Sequence, residues 1–460
     1  MTKSIASKNS QGRSAFVCQS CGAQFPKWAG QCGECGAWNT LVETAATKLP
    51  RARSGGLLAA SSIAVQRLDQ ISGDDVQRIP TGLDELDRVL GGGIVPGAVI
   101  LIGGDPGIGK STLLLQALAA VEGRLATLYV TGEESLAQVS LRARRLGLPR
   151  MDLPVLAETS LETVLDTLAA NTPGFVVLDS IQTLYTSALE AAPGSVSQLR
   201  ECAAQIVRYA KGSGCAIVLV GHVTKEGAIA GPRVLEHMVD TVLYFEQDVG
   251  SRYRIVRAVK NRFGAVNEMG VFAMTDAGLR EVSNPSALFL SRHEQPVPGS
   301  VITVTRQGSR PLLVEVQALV DRAGLGTPKR VTLGLEGSRL AMLLAVLHRH
   351  AGIALSDQDV FANVVGGMRI QETAADLPLL LAALSSFRNR PVPVDVVAFG
   401  EVGLAGEIRP VQGGEERLIE AAKHGFKRAI IPEGNRPRRA LKLDLEVIAV
   451  ARLDQALEQI

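Results

Sequence analysis

The segment Gly104-Asp105-Pro106-Gly107-Ile108-Gly109-Lys110-Ser111 matches the G-x-x-x-x-G-K-[ST] phosphate loop without a gap. An apolar run over residues 98–103 predicts a buried strand before it, and residues 112–119 predict a helix after it. This order lets backbone N–H groups and a helix N-terminus face phosphates, although a glycine-rich turn that binds nothing is the alternative. Lys110 is expected to reach the β- and γ-phosphates and to act in catalysis, and Ser111 to hold Mg²⁺. The residues expected to bind ATP or ADP are Gly104, Asp105, Pro106, Gly107, Ile108, Gly109, Lys110, Ser111 and Thr112.

Composition limits what else the chain can be. Its 460 residues suffice for two or three domains, and 46% hydrophobic with 20% charged residues predicts mostly globular structure. The net charge of +2 is too small to indicate a polyanionic partner, so a nucleic-acid surface would need local clusters of cations. There is no long apolar run free of charge, and residues 1–14 lack an apolar signal core. We therefore expect a cytoplasmic protein without a membrane span.

Four of the six cysteines have the spacing of metal ligands. Two Cys-x-x-Cys pairs lie ten residues apart, and each is followed by a glycine. The four are Cys18, Cys21, Cys32 and Cys35. Four thiolates suit a structural Zn²⁺ site, whereas two disulfides, the alternative, are disfavoured in a cytoplasmic chain. Trp28 and Trp38 with Lys27 either stack on nucleic acid or cover a small zinc core.

Three further apolar runs are each followed by an ionisable residue that is a candidate for the nucleotide site. Glu133 follows the predicted strand at 125–130 and is expected to be the catalytic glutamate, with Glu134 as the other candidate. A pair of acids that complements a helix N-terminus is the simpler reading. Asp179 ends the run at 175–178 and is expected in the Mg²⁺ shell, with a loop cap as the alternative. His222 ends the next run, as a γ-phosphate sensor or as a structural histidine.

Two later segments carry candidate contacts to a polymer. The glycine-rich residues 225–234 predict a loop with Lys225 and Arg233, typical of loops that carry function. A strand pair over 240–259 then leads to Lys260-Asn261-Arg262-Phe263-Gly264, hereafter the KNRFG motif. Lys260 and Arg262 face the same way in an extended segment, which favours phosphate in DNA or in a neighbour's nucleotide over a solvated strand end.

The predicted fold class is α/β, with a zinc ribbon, a P-loop core and a further α/β domain. Thr81 is expected to cap a short helix that ends at Gly91. From Asn284 the pattern changes to strands at 301–304, 312–316, 392–399 and 429–431 and helices at 339–350 and 377–386. The expected divisions are a zinc domain at 1–45, a linker at 46–78, an ATPase domain at 79–283 and the last domain at 284–460.

The cysteine ribbon, the phosphate loop, the KNRFG motif and the last domain together closely resemble the RadA (Sms) family of bacterial DNA-repair proteins. The resemblance covers nearly the whole chain, and the KNRFG motif is highly specific for that family. Residues 81–112 taken alone also resemble the circadian-clock ATPase KaiC. The resemblance to the RadA family implies that the P-loop core is RecA-like, and that the protein forms a homo-hexameric ring that hydrolyses ATP and binds single-stranded and branched DNA. It also implies branch migration with the RecA recombinase, a role in DNA damage and stress responses, and a KNRFG motif that couples DNA to ATP across a subunit boundary.

The segment from about Asp359 resembles the proteolytic domain of Lon protease, through residues 390–392 and 400–406. Lon chemistry needs a serine nucleophile and a lysine. The serine position falls near Ala374, and the lysine position falls within residues 413–417, which hold no lysine. Ser385 and Ser386 lie in the wrong place, so we expect no peptidase activity. The resemblance implies instead a ring scaffold and a DNA platform. Its candidate phosphate contacts are Arg388, Arg390, Arg436, Arg438 and Arg439.

Three functions from different classes follow. A DNA-dependent ATPase motor is the leading hypothesis. An ATP-dependent protease is disfavoured by the missing serine and lysine. A KaiC-like switch that binds ATP without moving a polymer predicts hydrolysis that DNA does not stimulate.

Overall fold

The computed structural model describes residues 15–18, 24–25, 27–34, 36–44, 77–222, 234–247, 252–290, 295–324, 327–439 and 441–460. The predicted zinc ligands Cys21 and Cys35, the loop cations Lys225 and Arg233, and residues 46–76 of the linker lie outside the described residues. The chain divides into two compact units, Met1–Glu281 and Val282–Ile460. The finer domain limits given above stay predictions.

A small antiparallel sheet begins the first unit. Its strands are β1 (Ala15–Cys18), β2 (Gln24–Phe25) and β3 (Leu41–Thr44), in the order β2-β1-β3. Cys18, Cys32 and Leu41 form its buried centre, with Phe16 and Phe25 packed against them. So few apolar residues make a marginal core, as expected for a domain whose folding depends on a metal.

A nine-stranded sheet forms the rest of the first unit, in the order β12-β11-β10-β9-β4-β8-β7-β5-β6. The strands from β9 to β6 are parallel, and β10, β11 and β12 extend the sheet in antiparallel fashion. The strands are β4 (Val99–Gly104), β5 (Thr127–Thr131), β6 (Val155–Ala157), β7 (Phe175–Asp179), β8 (Ala216–His222), β9 (Thr241–Glu246), β10 (Tyr253–Asn261), β11 (Met269–Thr275) and β12 (Gly278–Glu281).

Helices cover both faces of this sheet, which explains why its parallel strands are continuous apolar runs. Ile100 and Ile102 of β4 pack with α1, α2 and α3, whereas Val99 and Leu101 pack with α4 and α5 on the other face. The helices are α1 (Asp84–Leu90), α2 (Lys110–Val121), α3 (Leu136–Leu146), α4 (Leu161–Asn171) and α5 (Val196–Ser213). Because the six strands from β9 to β6 are parallel, their carboxyl ends lie at one edge, where ligands bind in open α/β sheets.

The start of α1 differs from the prediction. Leu83 is the N-cap of α1 and Thr81 makes no cap bond, so the prediction for Thr81 was wrong. The Thr81 hydroxyl instead accepts from Leu83 N at 3.2 Å, while Asp87 reaches back from inside the helix to Thr81 N at 2.8 Å. The helix does end at Gly91, whose φ of 83° is left-handed, as predicted.

The second unit is also α/β. Its seven-stranded sheet has the order β15-β16-β14-β13-β17-β20-β21, and β18 pairs with β19. The strands are β13 (Ser300–Gln307), β14 (Arg310–Arg322), β15 (Arg330–Leu333), β16 (Gln358–Val364), β17 (Val396–Ala398), β18 (Glu401–Val402), β19 (Ile408–Arg409), β20 (Arg428–Pro432) and β21 (Glu446–Val450), and the helices are α6 (Gly337–Ala351), α7 (Asp376–Phe387), α8 (Gly414–Lys423) and α9 (Leu453–Leu457). The strand predicted at 392–399 is shortened to β17, since prolines at 391 and 393 cannot donate to a ladder.

Candidate nucleotide site and KNRFG motif

The phosphate loop lies between β4 and α2, as the sequence predicts. Gly104 and Gly109 have φ of 156° and 121°, and a Cβ would lie 2.8 Å from Phe245 O at Gly104 and 2.9 Å from Met274 Cε at Gly109. Only glycine fits where β9 and β11 press this closely on the loop. Gly109 caps α2 without a side-chain bond, so the first-turn N–H groups are available to an anion.

Lys110 is buried beneath this loop, with 3% of its surface exposed. Its Nζ donates to Gly104 O at 2.7 Å and to Asp105 O at 2.9 Å, and it lies 3.3 Å from His222 Nδ1. Burial lowers the pKa of Lys110 to about 8. The ammonium is thus held by neutral atoms in a place where an anionic ligand would stabilise its charge.

Glu133 joins the same group of side chains at the carboxyl end of β5. His222 Nε2 lies 3.1 Å from Glu133 Oε1, and Ser180 Oγ donates to the same oxygen at 2.5 Å. The bond from His222 is the main reason why the pKa of Glu133 falls to about 2. Because the Lys110 ammonium can only donate, His222 Nδ1 accepts from it, and the Nε2–H of a neutral His222 donates to Glu133.

Glu134 has different surroundings. Its carboxylate forms an ion pair with Arg142 of α3, and its backbone N donates to Thr131 Oγ1 at 3.0 Å. The two acids therefore diverge: Glu133 reaches the group formed with Lys110 and His222, and Glu134 is held by α3. The ion pair with Arg142 is a structural reason for an acid at position 134.

Asp179 ends β7 and is 7% exposed. Its Oδ2 accepts a hydrogen bond of 2.5 Å from the hydroxyl of Tyr129. β7 is separated from β4 by β8 alone, so Asp179 and the phosphate loop share one edge of the sheet. The structure thus brings Lys110, Glu133, Asp179 and His222 to that edge.

The KNRFG motif lies at the opposite edge. Asn261 pairs with Thr241, which in turn pairs with Ile100, four residues before the end of β4. At about 3.3 Å per residue, this places the motif roughly 13 Å below the carboxyl end of that strand. Lys260 and Arg262 therefore do not reach the phosphate loop of their own chain.

The motif is anchored by local contacts. Lys260 Nζ donates to Glu236 O and Val239 O, both at 2.8 Å, and Arg262 Nη1 lies 3.4 Å from Asp240 Oδ1. The Asn261 side chain bonds to Val89 O at 3.2 Å and to Phe263 N at 2.9 Å. A Cβ at Gly264 would lie 2.9 Å from Gly91 Cα, so the motif packs directly on the end of α1. Lys260 and Arg262 both turn toward the segment before β9, and Arg262 is 59% exposed.

Sequence reasoning missed several residues at the nucleotide edge. They are Tyr129, Ser180, Arg142 and Arg254, the last of which donates to Ile108 O at 3.0 Å. Tyr129 stands inside an apolar strand and is indistinguishable from a core residue by pattern. Arg254 lies 146 positions from its partner, and no local pattern reports such a contact.

The two tryptophans of the ribbon do not cover its small core, which was one of the two predicted alternatives. Trp28 and Trp38 are 57% and 69% exposed, and the small core is covered by Phe16 and Phe25 instead. Cys18 and Cys32 are both buried, and Gly36 N donates to Cys32 O at 2.9 Å in a tight turn with φ of 71°. Buried sulfurs beside such a turn fit a structural metal.

In the second unit, the positions of the expected serine and lysine hold other residues. Ala374 is 1% exposed and Arg417 is completely buried. Arg417 pairs with both carboxylate oxygens of Glu372 and donates to Gln412 O at 2.9 Å. Ser385 Oγ donates to Arg390 O at 2.6 Å, and Ser386 Oγ accepts from Val320 N at 2.9 Å. The five arginines named above as phosphate contacts are all exposed.

The fold and site together define a P-loop ATPase with an added metal ribbon and a further α/β domain. Residues 65–228 match the AAA domain family, residues 16–43 match the rubredoxin metal binding domain, and residues 341–435 match subunit ChlI of Mg-chelatase. These matches confirm the predicted fold class. In the part of the chain that the structure describes, no helix has the length and apolarity to cross a membrane.

Curated relatives match nearly the full length. The chain is 62% identical to DNA repair protein RadA of Pseudomonas aeruginosa over 443 residues, which cover 96% of this chain and 98% of the relative. It is 55% identical to DNA repair protein RadA of Escherichia coli over 448 residues, covering 96% and 97%, and 49% identical to that of Bacillus subtilis over 452 residues, covering 97% and 98%. The chain belongs to the RadA family, and the predicted resemblance is confirmed.

Proposed function

We propose that this protein is a DNA-dependent ATPase of recombinational DNA repair, which binds single-stranded and branched DNA and promotes branch migration with the RecA recombinase. The observation that carries the proposal is the placement of two cation groups at opposite edges of one sheet. Lys110 lies at the phosphate loop, and Lys260 with Arg262 lies at the other end of β4. Membership of the RadA family supports the role in repair.

At the nucleotide edge, Lys110 binds the β- and γ-phosphates together with N–H groups of the phosphate loop. Ser111 and Asp179 would hold Mg²⁺, since a hydroxyl and a carboxylate are the oxygen donors that this ion prefers. When bound, Mg²⁺ supplies charge that offsets the phosphates. Glu133 is ionised at neutral pH, because the pKa of its carboxyl is about 2. It accepts a hydrogen bond from the attacking water and orients it.

Glu134 is not given this role, because its carboxylate is paired with Arg142. His222 links Lys110 to Glu133 and stands directly before residues 223–233, the segment in which Lys225 and Arg233 are proposed to contact DNA. When Lys110 binds a phosphate, its contact with His222 would be lost. His222 would thereby couple nucleotide binding to residues 223–233.

At the other edge, Lys260 and Arg262 act on the nucleotide of a neighbouring subunit or on DNA. The family resemblance implies a ring of six subunits. In such a ring, Lys260 and Arg262 of one subunit can face the nucleotide of the next subunit. Zn²⁺ on Cys18, Cys21, Cys32 and Cys35 stabilises the ribbon. The last domain is a scaffold without peptidase activity, since the serine position falls near Ala374 and the lysine position falls within residues 413–417, which hold no lysine.

Hydrolysis measured with and without single-stranded DNA tests the proposal. DNA is expected to raise the wild-type rate, and Lys260→Ala is expected to lose that response. Lys427→Ala, which removes an exposed lysine paired with Asp444, is the matched control and should respond like wild type. A wild-type rate that DNA does not change would favour the switch hypothesis.

A mixing experiment tests action across subunits. Lys110→Ala keeps an intact KNRFG motif, and Lys260→Ala keeps an intact phosphate loop. If the motif serves a neighbour, mixing the two variants restores hydrolysis stimulated by DNA at the interfaces that combine both intact parts. A mixture that responds to DNA no better than its components contradicts action across subunits.

A further inference from the structure

Tyr129 is a buried polar residue that the mechanism above does not use. It is the third residue of β5, pairs with Val177 of β7, and is 1% exposed. Tyr129 and Val177 belong to the same core cluster, so both side chains lie on the same face of the sheet. Asp179 follows two residues later on that face, about 6.6 Å along the strand, which is within reach of a phenol ring.

The hydroxyl of Tyr129 meets that carboxylate. It donates to Asp179 Oδ2 at 2.5 Å, and no second side-chain donor to Asp179 is found among the described residues. The bond uses one carboxylate oxygen and leaves the other for a ligand. A phenol is protonated at neutral pH, so the hydroxyl is a donor.

The surroundings fix the ring in place. It packs among the buried residues of α2, α3 and the sheet, where a ring has few alternative rotamers. A phenylalanine would pack equally well, so the hydroxyl is not required to fill space. What the hydroxyl adds is one charge-assisted hydrogen bond to the carboxylate that ends β7.

We infer that Tyr129 is a positioning residue whose hydroxyl orients Asp179 for the divalent cation that accompanies the nucleotide. The inference rests on the nucleotide site proposed above. Hydrogen-bond donors to metal-binding carboxylates orient them, and their loss typically lowers metal affinity about 10- to 100-fold. Tyr129 acts only through Asp179 and touches neither the nucleotide nor the cation.

The test compares Tyr129→Phe with Tyr244→Phe. Tyr244 is the matched control because its hydroxyl donates to Glu236 Oε1 at 2.7 Å, on the same sheet but outside the nucleotide residues. The affinity for fluorescent ADP is measured in EDTA and then across a titration with Mg²⁺. In Tyr129→Phe the affinity in EDTA should equal that of wild type, and the Mg²⁺ concentration at half effect should rise about tenfold. Tyr244→Phe should match wild type in both.

Two results would overturn the inference while leaving the nucleotide site intact. One is a wild-type Mg²⁺ midpoint in Tyr129→Phe. The other is an equal loss of affinity with and without Mg²⁺, which would mean that the hydroxyl only supports the fold. If wild type itself bound no ADP, or Lys110→Ala bound it equally well, the proposed site and this inference would both be wrong.

A second measurement leaves the hydroxyl in place, so it does not depend on the stability of Tyr129→Phe. The chain has five tyrosines, and 3-fluorotyrosine can replace all of them. The ¹⁹F signal of Tyr129 is assigned by elimination, using phenylalanine variants at the other four positions. That signal should move when Mg²⁺ is added to the ADP complex, and it should move less when ADP is added in EDTA. A Tyr129 signal that does not respond to Mg²⁺ contradicts the inference.

Discussion

Two buried cations of this chain differ in what neutralises them. Lys110 of the first unit is surrounded by two backbone carbonyls and a neutral histidine. Arg417 of the second unit is paired with both oxygens of Glu372. Burial lowers the pKa of Lys110 to about 8, and this effect outweighs the charges of Asp179, Glu133 and Asp105, which oppose it. A buried cation without its own anion is suited to bind one, whereas a cation that carries its anion stabilises structure.

The largest expected effect is that of removing Lys110, which should abolish most of the activity without lowering stability. Lys110→Ala should lower kcat/KM for ATP by about 10³-fold, because it removes the donor that we propose to bind the transferred phosphate. It should leave the melting temperature unchanged or slightly raised, since it also removes a poorly compensated charge. Steady-state hydrolysis and calorimetry check this, with Lys427→Ala as control. A melting temperature that falls with activity would mean that Lys110 is structural as Arg417 is.

Removal of Arg417 should show the opposite behaviour. Arg417→Ala leaves Glu372 without its partner and should destabilise the second unit by about 3–5 kcal/mol. Its affinity for ATP should not change. Calorimetric unfolding measures the loss, and Arg409→Ala, which breaks the exposed pair with Glu407, should cost less than about 1 kcal/mol. A cost for Arg417→Ala as small as that of Arg409→Ala would contradict the comparison.

Glu133 and Glu134, which follow β5, differ in the same way as the two cations: Glu134 is paired with an arginine and Glu133 is not. Glu133→Gln should slow hydrolysis about 10²-fold while ATP still binds, because the amide orients water poorly. Glu134→Gln should change the rate by less than about threefold, since Glu134 is paired with Arg142. Single-turnover kinetics with separate binding measurements distinguish the two. A larger effect at Glu134 would assign the catalytic role to that residue.

The smallest expected effect is the pH dependence of nucleotide binding. Below pH 8, Lys110 is already charged and the affinity should be constant. Above the pKa of about 8, binding must take up a proton, so the Kd should rise by up to about tenfold per pH unit. Lys110→Arg keeps its charge and should show no such rise. A Kd that is flat to pH 9.5 in wild type would mean that the charge of Lys110 is compensated in the free protein.

Local patterns in the sequence predicted much of this structure. The apolar runs at 98–103 and 175–178 and the glycine loop placed β4, β7 and α2, because both faces of a parallel sheet are covered. The strand ends placed Glu133, Asp179 and His222 at one edge. Their chemical roles stay predictions, as do the zinc ligands and the ring.

Contacts made by individual side chains could not be predicted in this way. Thr81 matched the pattern of a helix cap, but its hydroxyl accepts from Leu83 N while its own backbone N donates to Asp87. The bond from Tyr129 to Asp179 joins two neighbouring strands whose register no single segment encodes. Arg254 reaches Ile108 from the antiparallel extension of the sheet. The choice between Glu133 and Glu134 depends on Arg142 of α3, which pairs with Glu134, eight residues before it.

The close approach of β9 and β11 to the phosphate loop restricts how the chain can evolve. A methyl group at position 109 would overlap Met274, and one at position 104 would overlap the backbone at Phe245. A smaller residue at 274 would remove the first overlap but not the strain of a φ of 121°, and no exchange of side chains at 245 would remove the second. Position 274 can therefore vary among homologues, whereas positions 104 and 109 are both restricted to glycine, the first by the neighbouring backbone and the second by its own.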